Sequence, residues 1–543
     1  MQSYGLRPTL LVKYARQFAP EIHQRYGTTA AYLDVHTCVP PWFHVDFDAG
    51  HPGAGKARTV YDANLGLFAV EREAHRGPLF GEGNNQFYWA GAVDGVEAQV
   101  AGGEDAPLLV DFDLLKVHPQ MMNHGMGYHE RWLREGYNAN WGGRLPAQYR
   151  MDKYRSMEIA YGHAGFIANQ ILREPSYAVK EHHLVAPVQA RYGAAKAVAI
   201  EYEVGGRMVD VSDAVAAGVL DRVHVKYDSG LEVWVNHRQD DWRAAGQVIP
   251  QHCFLAAAPR MVAYSRRSGD AFCDYAEVPE SIFADARSVV VTPFRDITPR
   301  VASFESLGGR RFRVTYEWRV GEALDGDYHV FVHFTDSGPN EGIVFQQDHE
   351  PSVPTSKWQP GQVVTDGPYE ITVPESASGH FAWTLGLWAS SGRVWLRAKR
   401  DQYARAVLGE IAVAPDGSVT FSPTTAAAAD DEAADQLRRM NPARKMVDFG
   451  KVATDGAVFV RWEREALRIL PVPWGRAVNV DLRLGADDRG AFGLSWKRVE
   501  IMAQGIEGKE LKRWEVQAAN GVLRLQLDVP AARVYVVRET SGR

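Results

Sequence analysis

The hydrophobic period of this chain changes once, near residue 196, and that change limits what it can fold into more than any other feature. Before it, short apolar runs alternate with amphipathic stretches of helical spacing. KYARQFAPEIHQRYG closes at Gly27 and leads into AAYLDV, and NLGLFAVEREAHRG closes at Gly77 and leads into PLFGEG. A third apolar run is LLVDFDLLKVHP. Helix and strand in that rhythm predict a parallel sheet of βα units, because parallel neighbours need a crossover that a helix supplies. After residue 196 the period falls from 3.6 towards 2. AVAIEYEVGG, RVHVKYDSGLEVWVNH, RRFRVTYEWRV, YHVFVHFTDS, HFAWTLGLWAS and RVWLRAK alternate apolar with polar residues between Gly, Asp and Ser turns. Asp228, Ser229 and Gly230 supply the bend of a hairpin. Such strands predict antiparallel sandwiches.

A chain of 543 residues is too long for one core. The expected fold is multidomain, α/β followed by all-β: a partial (β/α)8 TIM-type barrel and then antiparallel β-sandwich domains. The expected boundaries are 1–190 for the barrel part, 191–290 for a β-sandwich and 291–423 for an accessory sandwich of jelly-roll or carbohydrate-binding kind. A low-complexity acidic linker follows at 424–436, then a β-rich region at 437–543 whose strands are candidates to complete the first sandwich. Composition matters here for what it excludes. With 45% apolar and 23% charged residues the chain is neither disordered nor fibrous, and a net charge of −7 gives no basic face for nucleic acid. No run approaches 18 apolar residues, so no membrane span is expected. Cys38, Cys253 and Cys273 are too few for a disulfide framework. MQSYGLRPTLLVKYARQF lacks the apolar core of a signal peptide. With Met1 as the true start, the expectation is a cytoplasmic protein.

The chemistry is expected in the first 190 residues, which hold 11 of the 18 histidines. A parallel strand covered on both faces should be almost wholly apolar, yet acids sit in these runs. Asp34 ends AAYLDV, Glu82 ends PLFGE, and Asp111 and Asp113 interrupt LLVDFDLL. The C-terminal ends of parallel strands are where such sheets carry their sites. Asp34 and Glu82 lie 48 residues apart and Glu82 and Asp111 lie 29 apart, spacings that suit successive βα units. Two carboxylates at one mouth are the equipment for glycoside hydrolysis; the competing structural use is as caps and ion pairs in strand-end loops. Around them, His36, Trp42 and His44 follow Asp34, and Asn84, Asn85, Tyr88 and Trp89 follow Glu82. His124, Tyr128 and Trp132 stand in NHGMGYHERW. Aromatic faces beside Asn, His and carboxylates suit a sugar, and a carbohydrate is the expected ligand, with no cofactor and no metal. A metal-dependent hydrolase is a weaker alternative and would need three of His36, His44, His118, His124 and His129 to converge; no tight ligand spacing such as H-E-x-x-H occurs. Neither a phosphate loop nor a G-x-S-x-G elbow is present. Trp318, Trp358, Trp383, Trp388 and Trp395 are expected in sandwich cores.

AAYLDVHTCVPPW, GPLFGEGNNQFYWAGAVDG, LLVDFDLLKVHP and NHGMGYHERW together resemble the catalytic-barrel segment of glycoside hydrolases related to the endo-α-N-acetylgalactosaminidase clan. The chain is also similar to large uncharacterised bacterial glycosidase-like proteins that carry these blocks. The resemblance spans roughly residues 5–190. It implies a retaining mechanism, with the Asp that ends a Y-x-D-V strand, here Asp34, as nucleophile, and a Glu on a following strand end, here Glu82, as acid/base. YHVFVHFTDS with FQQDHEPSVPTSKWQPGQ resembles accessory sandwich modules beside glycan-active domains. A whole barrel takes about 250 residues, more than the stretch before the sandwich zone, and the family's nucleophile strand follows several βα units. The favoured expectation is a truncated or mis-started frame, which would leave a secreted or periplasmic location open. A half-barrel completed by another chain and a non-catalytic, carbohydrate-binding relative are the alternatives.

Overall fold

The computed structural model describes residues 6–83, 85–97, 108–111, 121–123, 148–162, 175–288, 295–336, 342–390, 392–399, 401, 405–424, 438–463, 465–485 and 492–540. The protein is mostly β, with few helices and several antiparallel sheets, and divides into two compact units. One unit gathers residues 1–132, 152–285 and 446–543; the other gathers 133–151 and 286–445.

The first unit opens with the βα rhythm read from the sequence. Helix α1 (Leu11–Tyr26) stops at Gly27, whose φ of +64° turns its N–H back onto the His23 carbonyl. That left-handed cap is open to glycine without steric cost. Strand β1 (Ala31–Leu33) follows, then helix α2 (Ala57–His75) and strand β2 (Leu79–Glu82). Strands β3 (Gly95–Glu97) and β4 (Met121–Asn123) complete a four-stranded parallel sheet in the order β1-β2-β3-β4. The small side chains of Ala15 and Ala19 let α1 approach α2, and both are buried with Leu67, Phe68, Leu79 and Trp89. Asp94 fixes the entry to β2, since its carboxylate accepts from Leu79 N and from Arg72 Nη2, each at 2.8 Å.

One expectation fails here. Leu108–Asp111, the described part of the run LLVDFDLL, is not a strand. Phenols take its backbone groups instead: Val110 N donates to Tyr202 Oη at 2.6 Å, that hydroxyl donates to Leu108 O at 2.9 Å, and Tyr161 bonds the Leu109 backbone. A continuous apolar run shows burial but not which partner takes its backbone groups. Asp113 lies outside the described residues.

Among the described residues, the largest element of the first unit is a thirteen-stranded antiparallel sheet with strands drawn from residues 197–285 and 457–539, accompanied by smaller two- and four-stranded antiparallel sheets. The two stretches join where strand Ser281–Asp285 pairs with strand Ala457–Glu463, Asp285 opposite Ala457. Helix Pro175–Tyr192 packs on this sheet through charge as well as bulk. Lys180 Nζ reaches Asp274 Oδ2 at 2.6 Å and Asp285 Oδ2 at 2.8 Å, and Ser265 Oγ donates to Asp274 at 2.5 Å. His183 stacks on Phe459 with ring centroids 3.9 Å apart.

The second unit packs one sheet of strands Ile297–Gly308, Arg311–Val320 and Val363–Thr372 with another that includes His329–Thr335, Gly379–Ala389 and Ala406–Val413. Trp318 and Trp383, on strands, are buried in its core as their alternating pattern predicts, and Trp358, which follows the 3-10 turn Thr355–Lys357 and not a strand, and Trp395 are buried as well. Trp388 is the exception. It is 42% exposed and stacks on His329 at 5.1 Å. Asp366 is wholly buried and held by Ser352 N, Ser352 Oγ and Tyr369 Oη at 2.8, 2.9 and 2.6 Å, with His349 Nε2 at 3.0 Å. Those bonds outweigh burial and bring its pKa down to about 2.

Candidate active site at the ends of β1 and β2

Asp34 directly follows β1 and Glu82 is the last residue of β2, so two parallel neighbours deliver a carboxylate each to the same edge of the sheet. The link between them is a single amide. Val35 N donates to Asp34 Oδ1 at 3.1 Å and to Glu82 Oε2 at 2.9 Å. Laid end to end, those distances cap the separation of the two oxygens at about 6 Å.

The amide reaches both because Val35 is left-handed, with φ +67°. For a β-branched residue that region is costly, and it survives only where the surroundings enforce it. Here the following turn is fastened to the end of β2. Thr37, fully buried, donates its hydroxyl to the Glu82 carbonyl. Asn85 N donates to Thr37 O at 3.2 Å, and Asn85 Nδ2 donates to Cys38 O at 2.6 Å. Gly81 is required beneath this turn, because a Cβ there would overlap Thr37 Oγ1. His36 closes the other side: its backbone N and its Nδ1 lie 2.8 and 2.7 Å from the Asp34 carbonyl.

The candidate binding residues are sorted by this geometry. Trp42, 54% exposed, meets Tyr88 edge to face at 5.4 Å, so an aromatic pair links the loop after Asp34 to the loop after Glu82. His44 lies edge-on to Phe43 at 5.1 Å and lines an open cleft of about 660 Å3 with Arg7, Phe43, Asp46, Phe47 and His51. His51 Nδ1 is 2.8 Å from Asp46 Oδ2, and this pair went unread in the sequence. The Asp48 amide, together with His51 and Arg7, holds the Asp46 carboxyl below its ordinary range. Asn85 is a structural tie between the two loops. Trp89 is a correction: it is wholly buried, stacked on Tyr61 at 4.9 Å and edge-on to Phe68, so it builds the α2 core instead of facing a ligand. Burial pushes the Tyr161 and Tyr202 phenols up, and the charge of Asp111 adds to that rise. Asn84, Asp113, His118, His124, Tyr128, His129 and Trp132 lie outside the described residues. No three His, Cys, Asp or Glu residues converge as a metal site among the described residues, nor is any described helix long and apolar enough to cross a membrane.

The sequence announced the two carboxylates and the flanking aromatics. It gave no sign of Val35, because D-V-H-T-C has no glycine or asparagine at the left-handed position. Thr37 could have been suspected from Gly81, since a glycine inside a strand signals a close neighbour.

No protein-family model matches this chain, and no curated protein is similar to it. Among solved structures, a family GH18 chitinase from Chromobacterium violaceum aligns over 73% of this chain and 73% of its own, at 11% identity and a TM-score of 0.14. A superposition that loose carries no argument about chemistry.

Proposed function

We propose that this chain carries the two carboxylates of a retaining glycoside hydrolase, with the β1–β4 segment forming part of a (β/α)8 barrel of the kind its sequence blocks resemble. The observation that carries this is the one amide shared by Asp34 and Glu82. The nearer oxygens, Asp34 Oδ1 and Glu82 Oε2, fall at or inside about 6 Å of each other, a closeness that supports the 5–5.5 Å carboxyl pairing of retaining enzymes over the 6.5–9.5 Å pairing that leaves room for an inverting water. In the first step an Asp34 oxygen attacks the anomeric carbon while the Glu82 carboxyl protonates the departing glycosidic oxygen. In the second, water attacks that carbon, gives its proton to Glu82 and frees Asp34. Trp42 and Tyr88 would cover the C–H face of the sugar. The substrate class is a glycan.

The test is turnover of a panel of aryl glycosides. Glu82→Gln is expected to lose roughly 10²–10⁴-fold in kcat/KM on substrates with poor leaving groups, and Asp34→Asn at least as much. Equal rates for wild type and both variants, or turnover by none of them, would remove the enzyme reading. A second reading, carbohydrate binding without catalysis, is favoured by Trp388, exposed beside His329, whose Nδ1 is 2.6 Å from Glu350 Oε1. It predicts glycan binding that Trp388→Ala abolishes and Asp34→Asn leaves intact.

A further inference from the structure

We infer that the backbone amide of Val35 is a positioning group for the carboxylate pair, and that the strained turn around it exists to aim that N–H. The inference rests on the proposed function for its catalytic part only; the shared hydrogen bond stands on geometry.

Three observations converge on it. A valine holds φ +67° at a place where glycine would cost nothing, and it is 42% exposed, so its side chain is not pulled there by burial. Its N–H lies between two acceptors, 3.1 Å from Asp34 Oδ1 and 2.9 Å from Glu82 Oε2. The turn is over-determined from below, by the Thr37 hydroxyl on the Glu82 carbonyl, by Asn85 on the Thr37 and Cys38 carbonyls, and by Cys38 N and Val39 N on the Val35 carbonyl at 2.9 and 3.2 Å. Backbone strain that persists under so many constraints is the kind found where position matters.

The consequence for chemistry is specific. Two carboxyl groups this close repel when both are charged, and a donor placed between them offsets that repulsion. The bond to Oδ1 fixes the plane of the Asp34 carboxylate and leaves Oδ2 as the attacking atom. The bond to Oε2 fixes Glu82 in the same frame, so nucleophile and acid are registered to each other through one atom of the main chain. Preorganisation of this kind costs nothing at the moment of reaction.

Two measurements test it on the full chain. In protein labelled with ¹⁵N at valine, the Val35 amide resonance is expected to move in Glu82→Gln, a substitution 47 positions away in the sequence. A resonance insensitive to that substitution overturns the shared bond, whatever the catalytic result. The second measurement replaces Val35 by its α-hydroxy acid, which keeps the side chain and puts an ester oxygen in place of the N–H, alongside Val35→Gly, which keeps the N–H and accepts the same φ. The α-hydroxy acid form is expected to lose about 10- to 100-fold in kcat with KM and the unfolding temperature unchanged, and Val35→Gly to stay within about threefold of wild type. Full activity without the N–H would overturn the positioning role while leaving the Asp34 and Glu82 assignment intact. If wild type turns over no glycoside and the amide still responds to Glu82→Gln, the hydrolase reading falls and the shared bond stands.

Discussion

At residue scale the site depends on side chains too small to notice in the sequence. Gly81 lies under the turn that carries Thr37, and any Cβ would displace that hydroxyl from the Glu82 carbonyl. Gly81→Ala is expected to cost about 1–3 kcal/mol, measured as a lower urea midpoint with the slope unchanged. Adding Thr37→Ala should recover part of the loss, because the two changes share one contact. Strict additivity would show that the contact is not the cause. Asp34, Glu82 and the exposed Trp42 were legible because an acid or a large aromatic in an apolar strand-loop context is improbable without a use. Val35 was not, since a left-handed φ is imposed by the hydrogen bonds of residues 36–39 and 85, which come together only in the fold. Trp89 was misread for the converse reason: its neighbours in sequence are polar, and its neighbours in space, Tyr61 and Phe68, come from α2.

Among the elements, helix Pro175–Tyr192 is sensitive to a change of pH through His183. Burial, helped by the adjacent His182, brings His183 down to about 4, while an unfolded histidine titrates near 6.5. Between those values the unfolded chain takes up a proton that the folded chain refuses. Stability therefore falls as pH drops through that window and is indifferent to His183 above it. His183→Phe keeps a ring against Phe459, and its unfolding temperature is expected to vary less than wild type between pH 6.5 and 4. An identical pH dependence would exclude His183 as the cause. Lys180 on the same helix gives a sharper result. Removing it takes from the buried Asp274 and Asp285 the cation that bridges them, and Lys180→Met is expected to cost about 3–5 kcal/mol. Adding Asp274→Asn and Asp285→Asn should restore much of that, since neutral groups need no counter-charge. Strand existence and antiparallel pairing in this region followed from the alternating pattern. The run at 108–111 did not, because its backbone partners include a tyrosine of a distant strand.

For the whole molecule, the order of the chain and the order of the sheet disagree. Residues 286–445, which make up most of the second unit, come in the chain between two strands that pair directly, Ser281–Asp285 and Ala457–Glu463. A chain in which a Gly/Ser linker replaces residues 286–445 is expected to keep its β signal in far-UV circular dichroism and to unfold in one transition. Loss of folding would mean that the removed residues carry part of the first core. The acidic stretch at 424–436 marked a boundary in the sequence. That the strands beyond it return to the first sheet was hinted at by their alternating pattern and could not be fixed by it, because pairing across such a distance leaves no local trace.

That arrangement sets a schedule on the ribosome. Asp285 is synthesised 172 residues before Ala457, its register partner. At 5–20 residues per second the strand Ser281–Asp285 waits roughly ten to thirty seconds with one side unpaired. An open, largely buried-type strand edge is a template for the wrong neighbour during that interval. The nascent chain therefore has a defined window in which a holding chaperone, or the early folding of residues 286–445, decides between the native sheet and aggregation.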